Sequence, residues 1–179
     1  MATPSTETLS FPIGKFSFPQ SITPAQRQQW IAEVAAAPAK LRAAVAGLTP
    51  EQLDTPYRPD GWSVRQVVHH VPESHMNAYI RFKLALTEDE PVVKPYDEAA
   101  WAKLPDISGT PIETSLTLLD ALHDRWVRVL RLLDDTAFKR TFRHPEIGVI
   151  TLEKNLALYA WHGKHHVAHI TSLRDRMGW

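Results

Sequence analysis

Four of the 9 histidines in this chain fall within the eight residues from His162 to His169, and a second cluster, His69 and His70, is followed closely by His75. Imidazole is a common ligand for divalent metals, and local enrichment of this kind is a compositional cue for metal binding. On a helix, His162 and His166 stand at i and i+4 on one face, so both rings can reach a single ion. The apolar stripe of the same segment reads Leu152, Leu156, Tyr159, Gly163, Ile170, Leu173 and Met177. His166 falls inside that stripe and His162 on its edge. His169 lies slightly further out, as the next candidate, and His165 points away beside Lys164. A lone inward histidine is more often a hydrogen-bonded core residue than a ligand, and the pair lacks the Glu that follows the first His of the metalloprotease signature. With no cysteine in the chain, any metal must be held by His, Asp or Glu.

A metal site needs at least a third ligand. His70 lies on a polar stripe, Gln66, His70, Ser74, Asn77 and Arg81, set apart from the apolar face of Val64, Val68, Val71, His75, Phe82 and Leu86. Two readings of that stripe stay open from spacing alone. Either it faces solvent, or it lines a polar cavity in which His70 is the third ligand and Asn77 and Arg81 meet an anionic substrate. Glu73 and Glu153 are the nearest candidates for a general base, and neither is paired with the histidines in sequence. Trp62, Trp161 and Trp179 are candidate pocket walls. Asp97-Glu98 and Asp134-Asp135 read as solvated or helix-end carboxylates.

These residues need helices to position them. Thr23-Pro24 reads as an N-cap followed by a proline in the first turn, starting a helix that runs to about Gly47 with a bend at Pro38. Thr49 opens a short turn, and residues 56–61 form a loop. Ser63 and Gln66 make a capping box for a long helix to about Thr87. Pro72, two residues after His70, predicts a kink there, because it removes a backbone hydrogen bond and crowds the Val68 carbonyl. Tyr96 to Leu104 suits a short helix, with a linker containing Gly109 after it. Pro111 opens a helix whose stripe is Leu116, Leu119, Leu122, Trp126, Leu130 and Leu133. Residues 141–150 suit a loop or small hairpin, and Thr151 caps a last helix running almost to Trp179. The pattern predicts an all-α four-helix bundle over residues 23–179. An extended N-terminal arm, residues 1–22, precedes it, with Phe11, Phe16 and Phe18 available for docking.

Lys plus Arg and Asp plus Glu number 20 each, which leaves no basic footprint for a nucleic acid. The N-terminus lacks the basic and apolar regions of a signal peptide, and no apolar run approaches a membrane span. The expected setting is cytoplasmic and soluble.

The stretches Ser10-Phe11-Pro12-Ile13-Gly14, Leu53-Asp54-Thr55-Pro56-Tyr57-Arg58, Gly61-Trp62 and Val64-Arg65-Gln66-Val67-Val68-His69-His70 resemble the YfiT-type proteins of the DinB-like superfamily. So do Tyr79-Ile80-Arg81-Phe82-Lys83 and Arg176-Met177-Gly178-Trp179, so the resemblance spans nearly the whole chain. It implies a four-helix bundle with one metal ion, zinc or nickel, on three histidines. Carried onto this chain, those are His70, His162 and His166. It further implies a metal-dependent hydrolase that is a cytoplasmic homodimer. The alternatives are a thiol S-transferase using a low-molecular-weight thiol of the bacillithiol type, and a metal-binding protein without catalysis.

Overall fold

Each bundle helix begins where the sequence supplies a cap or a proline. The computed structural model describes residues 5–179; residues 1–4 of the expected arm, with Pro4, lie outside the described residues. The arm is not extended throughout. Ser5 caps a single helical turn, α1 (Thr6–Ser10), by accepting the Thr8 N–H. A run of five residues is too short to display a helical period in sequence. The capping boxes Thr23/Gln26, Thr49/Gln52 and Ser63/Gln66 open α2 (Pro24–Val45), α3 (Pro50–Leu53) and α4 (Val64–Thr87). Helix α4 continues through Pro72 and α2 through Pro38. Where one short helix was expected there are two, α5 (Glu98–Trp101) and α6 (Pro105–Gly109). The residue before a proline is driven out of the helical region, and Leu104, with ψ 150°, divides them.

Helix α7 (Ile112–Leu132) is followed by α8 (Asp135–Lys139), capped by Asp134. Strands β1 (Thr141–His144) and β2 (Gly148–Thr151) form an antiparallel hairpin in which Phe142 faces Ile150. Helix α9 (Leu152–Met177) ends at Gly178, whose φ of 70° lies in the left-handed region that glycine adopts without strain.

In the bundle, α2 packs on α9 and α7, and α4 packs on the same two helices. Sequence neighbours α2 and α4 therefore lie across one diagonal, and α7 and α9 across the other. Two apolar clusters fill the bundle. One holds Phe82, Trp126, Leu156 and Tyr159, and the other Leu41, Val68, Leu119 and Ile170. On α4, α7 and α9 the turns between these clusters carry histidine: His70 and His75, His123, and His162 to His169. A polar layer thus crosses an apolar bundle. On α7 the inward residue is His123, with Leu122 at the margin.

Gly163 lets α9 approach α2 beside this layer. A Cβ there would lie 3.2 Å from the Ala37 Cβ and 3.6 Å from His75 Cε1. Gly163→Val is therefore expected to destabilise the fold by about 1–3 kcal/mol through overpacking, read as a lower urea midpoint.

Candidate metal centre

Helix α4 presents His70 two turns after its capping box, and α9 presents His162 and His166 one turn apart. Because α4 and α9 are packed neighbours, the three rings meet. One nitrogen from each lies within 4.8 Å of the others. The His70 and His162 Nε2 atoms are 3.3 Å apart, and the His162 and His166 ring centroids are 4.4 Å apart. Two imidazole nitrogens each ~2.0–2.1 Å from a tetrahedral ion stand about 3.3–3.4 Å apart, so the observed spacing suits a shared cation. Without a cation, one of these two facing nitrogens must carry the proton that lies between them.

Electrostatics favour the ligand state. Burial is the leading cause that pushes His70 down to about 4 and His162 and His166 well below the usual imidazole range, with neighbouring histidines adding to the effect on the latter two. Neutral imidazoles offer the lone pairs that a metal needs. His166 Nδ1 is buried without a hydrogen-bond partner among the described residues. An incompletely satisfied polar layer of this kind is an energetic liability unless a ligand completes it.

The trio opens into a cleft of about 1050 Å³. Trp62 packs over His70 at 4.7 Å between centroids and stacks with His166 at 6.4 Å. Trp62 and Trp161 line the cleft, whereas Trp179 packs on the apolar cluster at the other end of α9. The arm forms one lip: His169 Nε2 donates to the Ser10 carbonyl at 3.0 Å, and Phe11 stacks on His165 at 5.9 Å. This corrects the expectation that His165 points away. Its ring is buried against Trp161 and lines the cleft, because the arm covers a helix face that the wheel assigned to solvent.

From the polar stripe of α4, His70, Ser74 and Arg81 border the cleft. Gln66 instead donates to the Ala102 carbonyl, and the Asn77 amide to the Glu73 carbonyl one turn back, outside the cleft lining. Arg81 is only 9% exposed, its Nε has no partner, and no carboxylate pairs with it among the described residues. A buried cation without a counter-charge is costly, so this wall favours an anionic group in the cleft. Neither proposed base belongs to the site. Glu153 is buried between Arg27 and Lys139, and Glu73 is not part of the lining. The hairpin brings His144 and Glu146 into the wall, and the loop before α5 brings Tyr96 and Asp97, with Glu98 following as the first residue of that helix. Asp97 and Glu98 are exposed at the start of α5, in keeping with helix-end carboxylates, whereas a four-residue strand and a single-turn helix are too short for spacing to show that Tyr96, His144 and Glu146 face the cleft. His75 was read as apolar-face filler, yet its Nε2 lies 3.1 Å from His162 Nδ1.

The sequence profile of the DinB superfamily matches residues 25–170. A protein of Oceanobacillus iheyensis provisionally named a metal-dependent hydrolase is 56% identical over 94% of this chain and 98% of its own length. YfiT of Bacillus subtilis, under the same provisional name, is 54% identical over 96% of this chain and 97% of its own. Its solved structure has an unusual four-helix-bundle topology and superposes with a TM-score of 0.93 over 96% of this chain and 99% of that one. A second solved four-helix bundle, 20% identical with a TM-score of 0.56, covers 79% of this chain and 94% of its own and shares the fold alone.

Proposed function

The chain belongs to the DinB superfamily, and from that membership and the clustered imidazoles we propose that it is a metal-dependent hydrolase of a small molecule, with His70, His162 and His166 holding one divalent ion, zinc or nickel, per subunit. The observation that carries this reading is the 3.3 Å separation of the His70 and His162 Nε2 atoms in a layer where burial keeps imidazoles neutral. When bound, the ion supplies Lewis acidity, drawing the pKa of a water toward ~7 or polarising a carbonyl oxygen. The chain's own residues do the rest. Trp62 fixes the His70 and His166 rings by packing and keeps bulk water off that side. Arg81 orients substrate through an anionic group. Asn77, its amide engaged by Glu73, takes no part in this reading. A cytoplasmic homodimer belongs to the same proposal and rests on the family resemblance.

One observation favours a second reading, a thiol S-transferase of the bacillithiol type. No carboxylate hydrogen-bonds to any of the three histidines among the described residues, so activation of water lacks a paired base. A metal-bound thiol needs less help, because coordination itself favours the thiolate.

The test is turnover of a panel of small esters, amides and electrophiles by zinc- or nickel-loaded protein, with and without a low-molecular-weight thiol. A hydrolase turns over in water alone. A transferase stays silent until the thiol is added. Silence in both, with metal bound, identifies a non-catalytic metal-binding protein and ends the enzymatic reading.

A further inference from the structure

Behind His162 runs a chain of buried imidazoles that no catalytic step uses. His162 Nδ1 lies 3.1 Å from His75 Nε2, His75 Nδ1 lies 2.8 Å from His123 Nε2, and His123 Nδ1 lies 2.7 Å from the Val34 carbonyl oxygen. His75 is 0% and His123 2% exposed. The chain takes one residue from each bundle helix: His162 from α9, His75 from α4, His123 from α7 and Val34 from α2.

Its polarity is forced by the terminal carbonyl, which can only accept. His123 must therefore carry its proton on Nδ1. As a neutral ring it then accepts at Nε2, so His75 donates from Nδ1. By the same step His75 accepts at Nε2 and His162 donates from Nδ1. What remains on His162 is a bare Nε2, the atom that faces His70 at 3.3 Å. Because the Val34 end cannot take up a proton, the chain transmits ring orientation and tautomer and not net charge.

We propose that His75 and His123 are positioning residues that lock His162 in the Nδ1–H tautomer, tying its ligand nitrogen to the backbone of α2 across all four helices. The inference rests on the reading of His162 as a ligand only for its consequence, since the tautomer exists with or without metal. Outer partners of this kind typically fix ligand orientation and are worth ~10–100-fold in metal affinity. A satisfied core network with no bearing on the metal is the competing account. The two differ in what happens when the chain is cut at its far end. His123→Leu removes the acceptor for His75 without touching any ligand. His123→Gln keeps an oxygen near the place of Nε2.

The tautomers are read first, from long-range nitrogen–proton correlations of the imidazole rings in metal-free wild-type protein at pH 7.5. Nδ1–H on His162, His75 and His123 is the expected result. An Nε2–H tautomer on His162 overturns the proposal whether or not the protein binds metal. Zinc affinity is then measured by competition with a chelator. His123→Leu is expected to weaken it about 10–100-fold, with His123→Gln recovering most of the loss. Equal affinity in His123→Leu and wild type overturns the positioning role while leaving the three-histidine site intact. Absence of zinc binding in the wild type instead sinks the metal reading and leaves the tautomer lock to be decided by the nitrogen–proton spectrum.

Discussion

Lowering the pH from about 7 towards 4 is expected to unfold the metal-free protein steeply. All 9 histidines are shifted downward, with burial as the first cause in every case. His70, His123 and His165 sit at about 4, and His75, His162 and His166 lie well below the usual 6.5. The sign follows from proton linkage. Between 6.5 and the folded values, the unfolded chain binds more protons than the native one, so stability rises with pH. It is fully present above 6.5 and is lost as pH falls through the window down to about 4. His123 alone, moved from 6.5 to about 4 in a fully buried site, corresponds to roughly 3 kcal/mol. Domains of this size have about 5–15 kcal/mol in all, so two or three such groups suffice to unfold the protein. Urea midpoints measured from pH 7.5 to 4.5 check this. Uptake of fewer than about two protons on unfolding near pH 5 would contradict the neutral histidine layer.

The second large effect is on metal. Wild-type protein purified without chelator is expected to hold one ion per chain by elemental analysis. His70→Ala, His162→Ala and His166→Ala should each weaken zinc binding by well over ~100-fold, beyond what loss of an outer partner costs. His165→Ala serves as the control. Its ring lines the same cleft but is not one of the three whose nitrogens converge, so metal content should stay at one. Equal loss in the control would remove the three-histidine site. The same substitutions carry a converse effect on the metal-free fold. His166 Nδ1 is buried without a partner among the described residues, and replacing that ring should flatten the acid dependence, because one buried neutral imidazole is gone.

The same polar layer separates what was legible in the sequence from what was not. Helix starts were legible because the caps Thr23, Ser63 and Thr151 act within one turn of themselves. The inward pair His162 and His166 was legible because a helix has one period and both share a face of α9. His70 was legible only through resemblance, since a polar stripe on a helix reads as well for solvent as for a cavity.

The remaining features depended on which helices touch. That α4 and α9 are neighbours while α2 and α4 lie across a diagonal is a property of packing, and no local signal encodes it. The arm burying His165, the hairpin carrying His144 into the wall, and the burial of Arg81, unpaired among the described residues, all follow from contacts between segments far apart in the chain. So does the pairing of His75 and His123, which are 48 residues apart; the sequence places His75 on the apolar face of α4 and puts Leu122, not His123, in the α7 stripe. The long bundle helices, their caps and the shared face of His162 and His166 could be read from the residues, because backbone hydrogen bonding and side-chain periodicity are local. Which histidines meet, which are held by a second imidazole and which buried cation has no partner among the described residues are set by packing across the bundle.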